Sequence, residues 1–336
     1  MRNIKFLFFL LFVIVLLNCW HSPLMNDYHV VGFVPIGSVE FSRLFVVDNE
    51  LVVLYSSQND ESAYDEMRKY NLSDPTSPEL TDKVRLTKTF PEPALPQYNK
   101  FLVFYFTNSE TIKVLDIMNS NVFDINLGIR PLTIASKDSF MFILADSCLI
   151  GWNIADFSNP VMIYRDSVHT GFTGGLLAIS DTLMFGMLNN DSFKLWNIKL
   201  PSQPKLIFTG ALEYKMANKV IINDRDIYIS HNFFWMKFFV DHLTIYDSGK
   251  VTPRESQDIA PMGDFFVYLD TIYILTYYNT YKYQFIVGDA MNLSNFWKAV
   301  PLPELVYSPN ITIFDNYIYV FAREKGIFIY KRMEEH

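Results

Sequence analysis

A polar turn followed by an apolar, aromatic-rich run recurs along this chain, and no other feature constrains its fold as much. The seven copies begin at Asp48, Asn99, Asp138, Asp181, Asp224, Asp270 and Asp315, with successive spacings of 51, 39, 43, 43, 46 and 45 residues. A second series closes each unit, in runs that end at Asn71, Asp116, Asn153, Asn197, Asp247, Asp289 and Lys331. In three copies a proline follows seven residues later, at Pro78, Pro160 and Pro204. Two independent series sharing seven rungs and one period mark a repeat architecture.

Each unit reads as strands. Short runs rich in Val, Ile, Phe and Tyr, bounded by turn residues, are strand signals. Asp and Asn suit the turns because their side chains bond nearby backbone amides and tolerate left-handed geometry. Proline suits the exit since it fixes φ and cannot extend a ladder. A first strand precedes each opening Asp, as at 132–136, 175–179 and 219–222, and a fourth follows each proline, as at 79–84, 161–164 and 205–209. Four strands per period, seven times, predict an all-β fold: a seven-bladed β-propeller of four-stranded antiparallel blades, residues 28–336 in one domain. A β-helix or paired β-sandwich fits the period less well. Single four-stranded sheets are marginal alone, and 30 Phe, 20 Tyr and 5 Trp supply the faces that stacked blades bury. The last unit ends with its third strand at 326–330, while a surplus strand lies at 29–36. The N-terminal strand is therefore expected to complete the last blade and close the ring.

The first residues read as an address. Arg2 and Lys5 precede an unbroken apolar run from Phe6 to Leu17. Twelve residues are too few for a bilayer-spanning helix, which needs about 20, and a basic start with a short apolar run is the pattern of a signal peptide. Residues 1–18 are assigned to it, rather than to a buried helix. Leu16-Leu17-Asn18-Cys19 resembles a bacterial lipobox, which implies lipid on Cys19, a tether over residues 19–27 and attachment at the cell envelope; an ordinary cleaved signal is the alternative. Cys148, in an apolar run, then reads as an inert buried thiol, its alternative being a disulfide with Cys19. The net charge of −8 argues against a nucleic-acid partner, since phosphate binding relies on Lys/Arg stripes.

The turn Asn71-Leu72-Ser73-Asp74-Pro75-Thr76-Ser77-Pro78 resembles the closing motif of the LVIVD-repeat propellers of bacterial and archaeal surface proteins. It is complete in the first unit and partial at Asn153 and Asn197, and the Leu-Val-Ile-Val-Asp core is absent. The resemblance implies a secreted propeller and carries no general activity with it.

Motifs for chemistry are sparse. The sequence shows no His-Glu-x-x-His, no Gly-x-Ser-x-Gly and no phosphate loop, and no cofactor or metal is expected from it. His231 and His242 flank one hairpin and could meet across it. Two classes of function stay open. One is a non-enzymatic binding or scaffold module with a protein or carbohydrate partner. The other is a propeller hydrolase or lyase acting on carbohydrate or lactone. Propeller enzymes gather residues from several blades, so the lining of the channel separates the two.

The distance between the two series measures the hairpin joining each unit's middle strands. It is long in units one, five and six, at 23, 23 and 19 residues, against 15 to 17 elsewhere. Units five and six are neighbours and carry His231-Asn-Phe-Phe-Trp-Met-Lys-Phe-Phe239 and Tyr277-Tyr-Asn-Thr-Tyr-Lys-Tyr283. Strand alternation would bury about half of these rings. The remainder, taken as Trp235, Phe238, Tyr278 and Tyr281, would form an exposed aromatic patch of the kind that marks interaction sites.

Overall fold

A computed structural model describes residues 28–36, 41–56, 64–90, 93–94, 101–105, 108–145, 148–156, 159–167, 176–187, 192–212, 217–233, 237–245, 251–260, 263–279, 282–302, 310–322 and 326–332. These form seven four-stranded antiparallel sheets. Strand β1 (Tyr28–Pro35) precedes the first complete blade, which is β2 (Phe41–Val47), β3 (Glu50–Ser56), β4 (Tyr64–Asn71) and β5 (Glu79–Phe90). Blade 2 is β6 (Pro93–Ala94), β7 (Phe101–Tyr105), β8 (Thr111–Asp116) and β9 (Val122–Asn126). Blade 3 is β10 (Pro131–Lys137), β11 (Phe140–Ala145), β12 (Cys148–Asn153) and β13 (Val161–Ser167). Blade 4 is β14 (Leu177–Ile179), β15 (Leu183–Met187), β16 (Ser192–Asn197) and β17 (Lys205–Ala211). Blade 5 is β18 (Ala217–Asn223), β19 (Asp226–Phe233), β20 (Lys237–Ile245) and β21 (Val251–Ala260). Blade 6 is β22 (Gly263–Tyr268), β23 (Thr271–Asn279), β24 (Lys282–Asp289) and β25 (Asn292–Pro301). Blade 7 is β26 (Asn310–Phe314), β27 (Tyr317–Ala322) and β28 (Gly326–Arg332), with β1 as its outer strand.

Alternation along the strands builds the ring. Successive side chains point to opposite faces, so each middle strand feeds two cores. Leu102 and Phe104 join Val52 and Leu54 of blade 1, whereas Val103 joins Met141 and Ile143 of blade 3. Ile227 and Ile229 pack with Phe185 and Leu195 of blade 4, and Tyr228 with Phe265 and Ile274 of blade 6. Such a core lies between every adjacent pair of blades, including one between blades 7 and 1 that unites Tyr319, Phe321 and Ile329 with Leu51, Val53 and Tyr70. The architecture is a seven-bladed β-propeller, as the repeat predicts.

Both sequence series have a structural cause. The opening residues sit in two-residue hairpin turns between first and second strands, with φ of +44° at Asp48, +50° at Asp138, +51° at Asp224 and +51° at Asp315. Left-handed φ is where Asp and Asn are enriched among non-glycine residues. The closing residues fold back in Asx turns. Asn71 Oδ1 accepts from Ser73 N (2.7 Å), Asn153 Oδ1 from Ala155 N (2.9 Å), Asn197 Oδ1 from Lys199 N (3.0 Å) and Asp289 Oδ1 from Met291 N (2.8 Å). The next residue ties the two turns together: Leu72 N donates to Asn49 O, Ile154 N to Ser139 O, Ile198 N to Thr182 O and Ala290 N to Asp270 O.

The ring closes through β1, as expected. It pairs antiparallel with β28, Tyr28 opposite Arg332 and Val34 opposite Ile327. Gly32 sits where the register shifts, so close to Thr76 that a Cβ there would stand 2.0 Å from its carbonyl oxygen. Tyr319 Oη donates to Pro75 O (3.1 Å), and Leu44 N donates to Asn310 Oδ1 (2.9 Å), joining the first strands of blades 1 and 7. The Asn71–Pro78 turn is thus the seat on which the last blade rests.

Candidate functional site

The propeller has two unlike faces. One carries the hairpin turns and Asx turns; cross-blade contacts place these together on a single face. Asn223 Nδ2 donates to Leu269 O (2.9 Å) between blades 5 and 6, Lys69 Nζ to Met118 O (3.3 Å) between blades 1 and 2, and Lys137 pairs with Asp181 between blades 3 and 4. The opposite face carries the hairpins between second and third strands.

On that second face blades 5 and 6 outgrow their neighbours. Strands β19 and β20 are paired over eight rungs, from Asp226–Thr244 to Phe233–Lys237, against six between β27 and β28 and five between β15 and β16. Strands β23 and β24 run from Thr271–Asp289 to Asn279–Lys282. Two extra rungs raise a hairpin by about 7 Å at ~3.4 Å per residue.

Two rungs of the sequence series fall on other residues. In blade 5 the position equivalent to Asn153 and Asn197 is Thr244, since Ile245 N makes the bond to Arg225 O that Ile154 and Ile198 make to their own turns. Asp247 lies outside the described residues. In blade 6 the turn is Leu269-Asp270, with Leu269 rather than Asp270 in the first position at φ +52°. Both hairpins then span 20 residues, Asp224 to Thr244 and Leu269 to Asp289, against 15 from Asp138 to Asn153.

Of the aromatic residues singled out above, Phe238 and Tyr278 lie in strands of these neighbouring hairpins. Phe238 is opposite Asn232 of β19 and Ala260 of β21, and Tyr278 falls in the register shift between Tyr277 and Asn279. Trp235, Tyr281 and the lipidation candidate Cys19 lie outside the described residues. Cys148 is a buried free thiol.

His231 and His242 do not meet. They occupy opposite faces of the same hairpin, each fully buried beside its own carboxylate. His242 Nε2 is 2.7 Å from Asp226 Oδ1, which also accepts from Thr244 Oγ1 (2.6 Å), and its ring stacks on Tyr228 at 4.6 Å. His231 Nε2 stands 3.0 Å from Asp241 Oδ2 on the blade 4 side. A buried polar contact of this kind is costly to leave half made. Sequence reasoning missed both pairs, whose one signal was acid and imidazole within two otherwise apolar strands. Among the described residues no group of three or more His, Cys, Asp or Glu is arranged to hold a metal.

First strands of neighbouring blades touch around the centre, β10 with β14, β14 with β18, β18 with β22, and β22 with β26. Their polar residues reach sideways to the next blade. Lys219 Nζ donates to Phe265 O (2.8 Å), Asn310 holds Leu44, and Thr133 shares a hydrogen bond with the Tyr105 hydroxyl, whose pKa burial pushes up. In blade 1, Glu66 clamps Arg68 (2.5 Å) and Lys83 (2.9 Å), and Arg68 lies 4.5 Å over the Tyr55 ring. Burial holds the Tyr55 phenol far above its usual range. Burial also works against the Arg68 charge, and the hydrogen bonds to Glu66 and Tyr70 outweigh it. These groups are committed to neighbours within and between the blades.

No protein-family model and no curated protein matches this chain. Solved structures do. The β-propeller domain of Cps50 (Swd1) from Myceliophteria thermophila aligns with a TM-score of 0.62 at 8% identity, over 90% of this chain and 99% of that one. BamB from Moraxella catarrhalis aligns at 0.54 and 9% identity, over 92% and 99%. A protein of unknown function from Desulfotomaculum acetoxidans aligns at 0.58 and 11% identity, over 87% and 89%. At these identities the likeness is one of fold.

Proposed function

We propose that this protein is an exported, lipid-anchored propeller that acts as a non-enzymatic binding module at the cell envelope. Its partner, a protein or a carbohydrate, is engaged by the tall hairpins of blades 5 and 6. The observation that carries the reading is the joint extension of β19–β20 and β23–β24 by neighbouring blades on one face. Strand pairs longer than the core requires project side chains beyond it, and the sequence there supplies Trp235, Phe238, Tyr278 and Tyr281. Aromatic rings are the residues most enriched where few contacts carry most of the binding energy. The signal-like N-terminus with Cys19, and the likeness of the Asn71–Pro78 turn to the LVIVD-repeat propellers, support the exported location.

A photocrosslinking residue at position 235 or 281 should capture a partner that the same residue at position 181, on the other face, does not. Equal capture from both faces, or capture from position 181 alone, refutes the site. Cys19→Ser should move the protein from the membrane to the soluble fraction; unchanged retention refutes the anchor.

A further inference from the structure

Among the described residues, the large apolar residues exposed in turns lie on the face that carries the hairpin and Asx turns. Leu269 is 70% exposed and Leu200 64% exposed, with Met118 and Met291 also open to solvent. Leu200, Met118 and Met291 stand in the turns after third strands, and Leu269 in the turn between β22 and β23. Leu269 is the clearest case. Five other blades place Asp at the matching turn position, four of them with left-handed φ, and a leucine with φ of +52° is sterically disfavoured there. Neither packing nor turn chemistry explains it, and a strained residue held in the open is a pointer to function.

The direction of β1 says what lies opposite. Tyr28 pairs with Arg332, at the same end of blade 7 as the Asp315-Asn316 turn. The chain therefore enters the propeller on this face. Nine peptide steps separate Cys19 from Tyr28, a reach of at most about 32 Å at ~3.6 Å each. The eight-residue strand β1 itself rises about 25 Å. A chain anchored at Cys19 thus holds this face nearest the bilayer, and turning the opposite face to it would use nearly the whole reach.

Resting on the anchored reading above, we propose that this face lies on the bilayer surface, with Met118, Leu200, Leu269 and Met291 seated in the interfacial layer. The tall hairpins of blades 5 and 6 then point away from the membrane, toward whatever they bind. The surface is zwitterionic, because the Asp carboxylates of the same turns, among them Asp116 and Asp289, repel anionic headgroups.

The full lipidated chain, with Cys148→Ala, is labelled with an environment-sensitive fluorophore at Lys199→Cys, beside Leu200, or at Lys237→Cys, at the far hairpin. It is bound to phosphatidylcholine vesicles containing a headgroup-level quencher. Quenching at least three-fold stronger at 199 than at 237 is expected. It should fall by half or more when Leu200→Ser/Leu269→Asn is added, and fall when phosphatidylglycerol is included. Equal quenching, or stronger quenching at 237, overturns the orientation while leaving the anchor intact. Quenching that the double substitution leaves unchanged overturns the seating of the apolar turns. Quenching that rises with phosphatidylglycerol overturns the zwitterionic surface. A chain that fails to sediment with the vesicles overturns the anchor and this orientation together.

Discussion

Gly32→Ala should weaken the ring at its seam. The added methyl would stand 2.0 Å from Thr76 O, 2.9 Å from Thr76 C and 3.0 Å from Ile329 Cδ1. Ordinary contact begins near 3.4 Å, so β1 or the blade 1 turn must retreat by more than 1 Å. The turn is pinned, with Tyr319 on Pro75 O and Asp74 Oδ1 accepting from Thr76 N and Oγ1. Strand β1 pairs on one side alone, and is the element that yields. The buried side chains of β1 and the residue after it are Tyr28, Val34 and Ile36. At roughly 1.5–3 kcal/mol each they contribute on the order of 5–9 kcal/mol, an upper bound for a strand leaving an otherwise intact ring. Overpacking by one methyl costs about 1–3 kcal/mol, and a backbone obstacle places this one at the top of that range. A loss of about 2–3 kcal/mol lowers Tm by roughly 5 °C in a chain of this size. Thermal melts of wild type and variant measure it, with limited proteolysis reporting whether cleavage before residue 36 appears first. A variant melting within about 1 °C of wild type, with β1 equally protected, would refute the argument. Gly326→Ala should be worse, since its φ is +143° and its Cβ would stand 2.1 Å from Val34 O.

Three further outcomes follow from the packing and the turns. His242→Ala empties a fully buried ring site stacked on Tyr228 and takes a ring partner from Asp226, to which Thr244 Oγ1 still donates, and should cost about 3 kcal/mol by chemical denaturation; no loss would mean the pair is idle. The Asp82 carboxyl is held below its usual range first by its hydrogen bond from Lys69, at 3.0 Å. Its folded pKa is depressed, so its contribution is present above its unfolded value, about pH 4, and is lost as pH falls through the lower folded value. Asp82→Asn should therefore lower stability at pH 7 and lose less than wild type in an acid titration; identical acid profiles would count against the pairing. Asn197→Ala removes the acceptor for Lys199 N and should cost about 1 kcal/mol, read as a small shift in the denaturation midpoint, while an unchanged midpoint would make that turn dispensable.

The repeat was legible because each rung answers a local backbone need, a left-handed turn position or an amide to be capped, which Asp and Asn meet without help from the rest of the fold. It slipped where tertiary contacts meet that need differently. In blade 5 the acid sits on β19 as Asp226 and bonds Thr244 and His242 across the hairpin, so Thr244 holds the closing position and a search for Asp lands three residues late. In blade 6 Leu269 displaces Asp270 by one place. The His–Asp pairs were illegible because strand register alone decides that Tyr228 lies opposite His242. The tall hairpins were legible as length, which alternation alone does not convert into a list of exposed rings.

The seam joins the two most distant parts of the chain. Tyr28 is opposite Arg332, and Leu44 bonds Asn310 across 266 residues of sequence. During synthesis, the strand needed last is the one made first. At about 5–20 residues per second, β1 waits on the order of 15–60 s for its partner strand, presenting an open edge rich in Val and Phe meanwhile. Every blade up to the sixth has all its own strands before that moment, so the slow event is the arrival of the far end. Moving the chain ends to the link between blades 3 and 4 would give each blade four strands in direct succession and remove that wait. Such a permuted chain should aggregate less than the natural one while it is being made.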